Sequence, residues 1–449
     1  MDAESKAPYQ EFLRVATNER SVMKRMMHRK GTPGYSEDVR RTLASFIVSN
    51  ARAASSNYHL FDMRKATVDA EQDGGDIGRE AVKLFEEVSN PVESATKLRG
   101  FLFFNYLGGS IASAAINMTQ IPMMAFPKLS QYAKVNDLVG MLGKAAKMAV
   151  MNPAKVPGEI GKALRRAELD GVTAPQEIFQ LTGTAANSIF TSNKGANFLL
   201  QAWGKPFALA ESFNRRTTFL AAYQIASNMT PAQLKETGAK SAFEFAETMV
   251  KETQGIYNAG NRPNIGRGAV GATMMTFKQY SIMYMELLSR LPLKQQAMML
   301  GMLILAAGAG GLPFEEDAED IIDTIGQWMG YATNTRKSLR NAVEGAIGKT
   351  AADVALNGVM DQMGLSLSAR MGMHNLLPGS GILKQSSVDK GRDVQEFFGP
   401  AASVIASFGK ALENLATGHP DRAALAMAPV AVQNAVRGLN MMNTGYAED

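Results

Sequence analysis

The sequence predicts an all-α protein, an irregular multi-helical body of many short-to-medium helices with no significant sheet. Three observations carry that expectation. Long period-two alternation is missing, and β-branched residues do not cluster between turn signals. Apolar residues recur at helical spacing along most of the 449 residues. Gly and Pro fall between the periodic stretches, where helices have to stop and start.

Taken in order, Phe12, Leu13, Val15, Val22, Met23 and Met26 mark one face of an opening helix that Gly31-Thr32-Pro33-Gly34 ends. Ser36 is placed to cap a second helix from Glu37 to about Asn57, with Val39, Leu43, Phe46 and Ile47 on its apolar face. Asn90-Pro91 begins a helix that runs into an uncharged stretch, and Pro122 with Pro127 is expected to end it. Pro153, Pro157 and Pro206 punctuate the middle, Lys205 to Met229 forms a long helix, and Thr230-Pro231 reads as a cap followed by Pro at the first helical position. Asn258 to Gly271 (NAGNRPNIGRGAVG) is the clearest loop, after which Thr273 to Arg290 resumes as helix. Ala297 to Leu312 has 16 residues without a polar side chain, four of them Gly, too short for a span and suited to a buried core helix. Pro313 starts an acidic helix whose carboxylates face the positive helix end. The tail alternates short helices with loops at Leu377-Pro378-Gly379, Gly399-Pro400, His419-Pro420 and Pro429. Three regions result: an N-terminal helical region 1–99, a central region 100–312, and an acidic C-terminal region 313–449.

Composition narrows the chemistry. With no Cys, disulfides, thiolate catalysis and Cys-ligated zinc are excluded. The four His (His28, His59, His374, His419) have no metal-ligand spacing, and no cofactor or metal is expected. The 28 Met, often doubled, suit adaptable core filling. Net charge is +5 but uneven: +1 over residues 1–100, +9 over 128–300 and −5 over 301–449. A basic middle beside an acidic end suggests contact with a polyanion or between copies. The N-terminus MDAESKAPYQ has no basic-then-apolar layout, so no secretory signal is predicted.

The most informative stretch is Gly100–Pro127, 28 residues without a charged side chain. Phe101, Phe103 and Phe104 make it apolar, yet Asn105, Ser110, Ser113, Asn117, Thr119 and Gln120 bring polar groups that would each need a partner in hydrocarbon. Gly108, Gly109, Ala112, Ala114 and Ala115 suit close helix approach in water or lipid. Phe101, Phe103, Phe104, Gly108, Gly109, Asn117 and Gln120, with Leu303, Ile304 and Leu305 of the second apolar stretch, form the candidate membrane or helix-packing surface.

Enzyme signatures are weak. Gly345-Ala346-Ile347-Gly348-Lys349-Thr350 has the tail of a phosphate loop but Val343 where the first Gly belongs, so a helix end followed by a Thr350 cap reads better. Gly108-Gly109-Ser110-Ile111-Ala112 misses the second Gly of a nucleophile elbow, leaving Ser110 as a small packing residue. Glu211-Ser212 has the Glu-Ser pair of lytic transglycosylases without the strand that should follow. No enzyme is expected. Arg215, Arg216, Arg262, Arg267 and Lys278, interleaved with Phe213, Phe277 and Tyr280, are candidate phosphate or nucleic-acid contacts. The competing reading has these Arg bonding helix C-terminal carbonyls and the acidic tail.

A series of short stretches runs in order along the chain: Gly31-Thr-Pro-Gly34 with Ser36-Glu-Asp38 and Arg40-Arg41, then Gly108-Gly-Ser110 with Asn117-Met-Thr-Gln120 and Pro127. Phe213-Asn-Arg-Arg-Thr-Thr-Phe219, Asn261-Arg-Pro263, Phe277-Lys-Gln-Tyr280, Leu365-Ser-Leu-Ser-Ala-Arg370, Leu376-Leu-Pro378 and Phe398-Gly-Pro400 follow. In that order they resemble the helical C-terminal region of large polyvalent bacteriophage proteins, which are packaged in the virion and delivered into the host. The Pro-Leu-x-Arg-Phe-Gly motif of some relatives is absent, as are their protease, transglycosylase and methylase domains. The resemblance implies an internal virion or ejection protein that leaves the capsid and helps form a conduit across the host envelope. It further implies copies of itself and other ejection proteins as partners, contact with the host inner membrane, and non-specific DNA contact. The virion interior and then the host envelope or cytoplasm would be its locations. The alternative is a soluble DNA-associated protein of the capsid core or of host takeover.

Overall fold

The computed structural model describes residues 58–89, 96–175, 194–255, 266, 268–331, 333–362, 365, 367, 374 and 400–444. Among them the chain is helix and turn with no strand, so the all-α expectation holds. The helices expected over residues 12–57, most of the loop around Arg262 and Arg267, and the Leu377-Pro378-Gly379 loop lie outside the described residues. The chain divides into two compact units, Met1–Val92 and Glu93–Asp449.

In the first unit α1 covers residues 58–72 and α2 covers Gly75–Ser89. The second unit opens with α3 (Thr96–Tyr106), α4 (Ile111–Met118), a π-helical turn at Ile121–Ala125, α5 (Phe126–Leu129), α6 (Val135–Ala149) and α7 (Gly158–Leu169). The long α8 (Lys194–Ser227), α9 (Pro231–Glu236) and α10 (Ala242–Gln254) follow. Next come α11 (Gly268–Met274), α12 (Gln279–Arg290), α13 (Leu293–Ala307), α14 (Glu315–Trp328), α15 (Thr335–Ile347), α16 (Lys349–Asn357) and α17 (Val359–Gln362). The last three are α18 (Pro400–Ala416), α19 (Pro420–Met427) and α20 (Val430–Thr444).

Several boundaries differ from the sequence reading for definite reasons. Pro122 and Pro127 do not end helical structure; each sits in the first turn of a new piece, where its missing N–H costs nothing, and helix continues to Leu129. Pro206 does not start a helix but lies inside α8, which the packing on both of its sides carries through. The expected Thr273–Arg290 helix breaks between α11 and α12, where Phe277 takes a positive φ of 73°. Thr350 is helical; Gly348, at φ 82°, is the residue that separates α15 from α16. The Thr230 cap is found, as a capping box with Gln233.

Three apolar cores organise the second unit. The first joins Phe126 and Leu129 to Leu138, Leu164, Phe219, Leu220 and Phe245, across α5 to α8 and α10. The second joins Met123 and Met124 to Tyr284, Leu287, Met299 and Leu303, between the π turn, α12 and α13. The third is the contact of Phe103 with Phe207. The uncharged segment supplies residues to all three. α8 is the axis on which α4, α6 and α10 pack.

Candidate functional site

The uncharged segment is folded as an elbow. α3 stops at Tyr106, Leu107 to Gly109 turn the chain, and Ser110 restarts it by accepting a hydrogen bond at Oγ from Ser113 N–H, 3.1 Å. The two arms, Leu98–Tyr106 and Ile111–Leu129, meet at 93°. No single described helix is long and apolar enough to cross a membrane; these two arms together pass that test of length and composition, and α13 is apolar but shorter.

Trp203 on α8 closes the elbow. Its indole Nε1–H donates to Phe104 O at 3.0 Å, and its own carbonyl accepts from Gly109 N–H at 2.7 Å. A Cβ at Gly108 would stand 2.2 Å from the indole, and one at Gly109, which also holds φ 67°, 2.6 Å from it. Both glycines are therefore required by a single side chain about a hundred residues away. Phe104 and Trp203 have ring centres 5.8 Å apart, and Phe103 meets Phe207 edge to face at the same separation. Further along, Asn214 Nδ2 donates to Asn117 O at 2.7 Å.

The candidate surface residues divide accordingly. Phe103, Gly108, Asn117 and Gln120 are buried, and Phe101, Phe104 and Gly109 half-buried, all packed within the unit. In α13 the expectation of a buried helix holds only for one face: Leu303 is core, whereas Ile304 and Leu305 are exposed. The reason is periodicity, since Met299, Leu303 and Ala307 point inward with Met302 and Ala306 against the same core, and Ile304 and Leu305 fall on the other side.

Two of the five candidate phosphate contacts are used up inside the fold. Arg215 is 1 % exposed; its Nε donates to Glu211 at 3.2 Å and its Nη2 to Gln254 O and Gly255 O at 3.1 and 2.8 Å, closing the carboxyl end of α10. Arg216 turns the other way, its Nη1 donating to Ala149 O at the end of α6 and its Nη2 pairing with Glu168 at 2.5 Å. Burial takes Arg215 out of reach of a phosphate; both arginines bond helix C-terminal carbonyls, as the competing reading expects, and their carboxylate partners lie outside the acidic tail. Glu211 is likewise a buried ion-pair partner. Lys278 is half-buried beside Phe277, and Arg262 and Arg267 lie outside the described residues.

The acidic helix α14 carries a feature that the sequence reading missed. Glu316, Asp317, Glu319, Asp320 and Asp323 are buried, while Ile321, Ile322, Ile325 and Trp328 are exposed. Burial raises the Glu319 carboxyl to about 7, with the nearby Glu315 adding to the effect. Among the described residues no group of three or more His, Asp or Glu is arranged to hold a metal ion. Comparison with protein-family models, curated proteins and solved structures finds no match.

Proposed function

We propose that this chain is a bacteriophage internal virion protein that leaves the capsid, lodges in the host envelope and there, in several copies, helps form the conduit for the genome, with no bond-making step of its own. The observation that carries this reading is the uncharged elbow. Its arms are the one described pair with the length and composition of a span; Gly108 and Gly109 are fitted to Trp203 of α8, and the Asn117 carbonyl accepts from Asn214 of the same helix. The resemblance to phage proteins and a chain free of cysteine, able to refold without redox partners, support the same reading. The DNA-associated alternative draws on five basic side chains, two of which are committed to helix ends.

The test is to dilute the chain from urea onto anionic vesicles and float the vesicles. The expected result is co-flotation with a protease-protected fragment, identified by mass spectrometry, that spans residues 98–129. Protein that refolds and stays at the bottom at both low and high salt overturns the reading.

A further inference from the structure

α14 is built inside out. At 100° per residue, Ala318, Ile321, Ile322, Ile325, Trp328 and Met329 occupy one arc about 120° wide, and all six are exposed. Glu316, Asp317, Glu319, Asp320 and Asp323 occupy the opposite side and are buried. Phe314, just before the helix, and Tyr331, just after it, extend the apolar arc and are 41 % and 66 % exposed.

This orientation is fixed. Asp323 Oδ1 accepts from both the N–H and the Oγ1–H of Thr335, at 2.8 and 2.7 Å, while Thr333 Oγ1 donates to the Asp323 carbonyl at 3.1 Å. Glu316 meets His374 Nε2 at 3.0 Å, and its N–H donates to His374 O at 3.0 Å. Gly326 lies on the buried side because a Cβ there would fall 2.5 Å from Thr333. Turning the helix to hide its isoleucines would break each of these contacts, so the apolar arc has to be covered from outside.

Size and charge select the cover. At these exposures the arc with its two flanking rings presents roughly 700 Å² of apolar side chain, counting about 150–250 Å² for a whole aromatic residue and somewhat less for an aliphatic one. That exceeds the patches of about 300–600 Å² that monomers expose and is on the scale of the about 800 Å² that each partner gives to a standard interface. A lipid surface fits poorly. Interfacial helices carry Lys and Arg on their own polar face, whereas α14 carries six carboxylates and no Lys or Arg, the cation beside it being Arg336 of α15, 3.9 Å from Glu316; an anionic leaflet repels such a helix. We infer that the outward arc of α14 is the contact for a second copy of this chain, apolar arc against apolar arc across a two-fold axis, with Ile325 at the centre of the arc and nearest the axis.

The cysteine-free chain allows a direct test. Ile325→Cys introduces the single thiol of the molecule, and mild oxidation is expected to give a disulfide-linked dimer. Leu169→Cys, at an exposed leucine on α7, is expected to give none. The native chain should sediment as a dimer at micromolar concentration, and Ile325→Asp, which places a charge on an already exposed position, as a folded monomer with unchanged helical circular dichroism. A native monomer, a dimer that survives Ile325→Asp, equal cross-linking from both cysteines, or a monomer that floats with anionic vesicles unless Ile325 is changed would each overturn the assignment. The ejection reading stands or falls separately, on flotation of the unfolded chain.

Discussion

Arg215 and Arg216 are adjacent in sequence and serve the ends of two different helices, because neighbouring residues on α8 diverge by 100°. FNRRTTF shows two cations side by side; it does not show that α6 and α10 end on either flank of α8, since those ends come from segments about 40 and 70 residues away. Helix C-termini expose carbonyls and a partial negative charge, and a guanidinium answers both. Arg215→Met should therefore cost about 3–5 kcal/mol, because it strands the buried Glu211 carboxylate as well as two carbonyls. Arg216→Met, whose guanidinium is partly solvated, should cost about 1 kcal/mol. Urea unfolding followed by circular dichroism measures both, and equal costs would contradict the assignment. Glu319 gives a pH dependence. Its folded pKa of about 7 lies above the ordinary carboxyl value of 4.5, so its contribution to stability is full below that ordinary value and is lost as pH rises through about 7. Hydrogen exchange of the α14 amides should quicken over that window, and Glu319→Gln should flatten the dependence. A rate that falls with pH, after correction for intrinsic exchange, would refute it.

At the level of elements, the elbow between α3 and α4 depends on one indole fitting over two glycines. The sequence displayed Gly108-Gly109 within an uncharged run and so suggested close helix packing, correctly, but neither the bend nor its partner was readable. The residue that fills the space is Trp203, on a helix that Pro206 misleadingly suggested would begin later. Helix as a class was readable across the described residues because apolar spacing is local, whereas elbows and caps depend on long-range neighbours. Gly108→Ala should cost about 1–3 kcal/mol, since its methyl meets both the indole ring and the Phe104 carbonyl to which that ring is bonded. Trp203→Phe, which keeps a ring but loses the Nε1 donor, should cost about 1 kcal/mol and reduce the penalty of Gly108→Ala in the double variant. Strict additivity in that cycle would mean that the two sites do not meet. The inverted α14 was hidden for another reason. An amphipathic pattern reports two faces and not which of them turns inward, and here the carboxylates are claimed by Thr335 and His374 while the isoleucines are left outside.

At the scale of the whole molecule, the uncharged segment belongs to three cores at once, and that sets the conditions under which it could enter a bilayer. Leu102, Phe103, Met123, Met124, Phe126 and Leu129 are all buried; at about 2 kcal/mol apiece their removal would forfeit about 12 kcal/mol. Folded domains are stable by about 5–15 kcal/mol in total. The segment therefore cannot leave while the body around it persists, and release amounts to unfolding. Membrane entry from the folded state should be as slow as global unfolding, whereas a chain delivered unfolded meets no such barrier. Leu220→Ala tests the coupling from outside the segment, at a fully buried residue of the first core. It should destabilise the body by about 2–5 kcal/mol and raise the rate at which folded protein associates with vesicles by the same factor as it raises the unfolding rate. Capture of the urea-unfolded chain should be fast and alike in both proteins. Rapid capture of the folded native protein, unaffected by Leu220→Ala, would mean that a surface already exposed touches the lipid and that the elbow stays where it is.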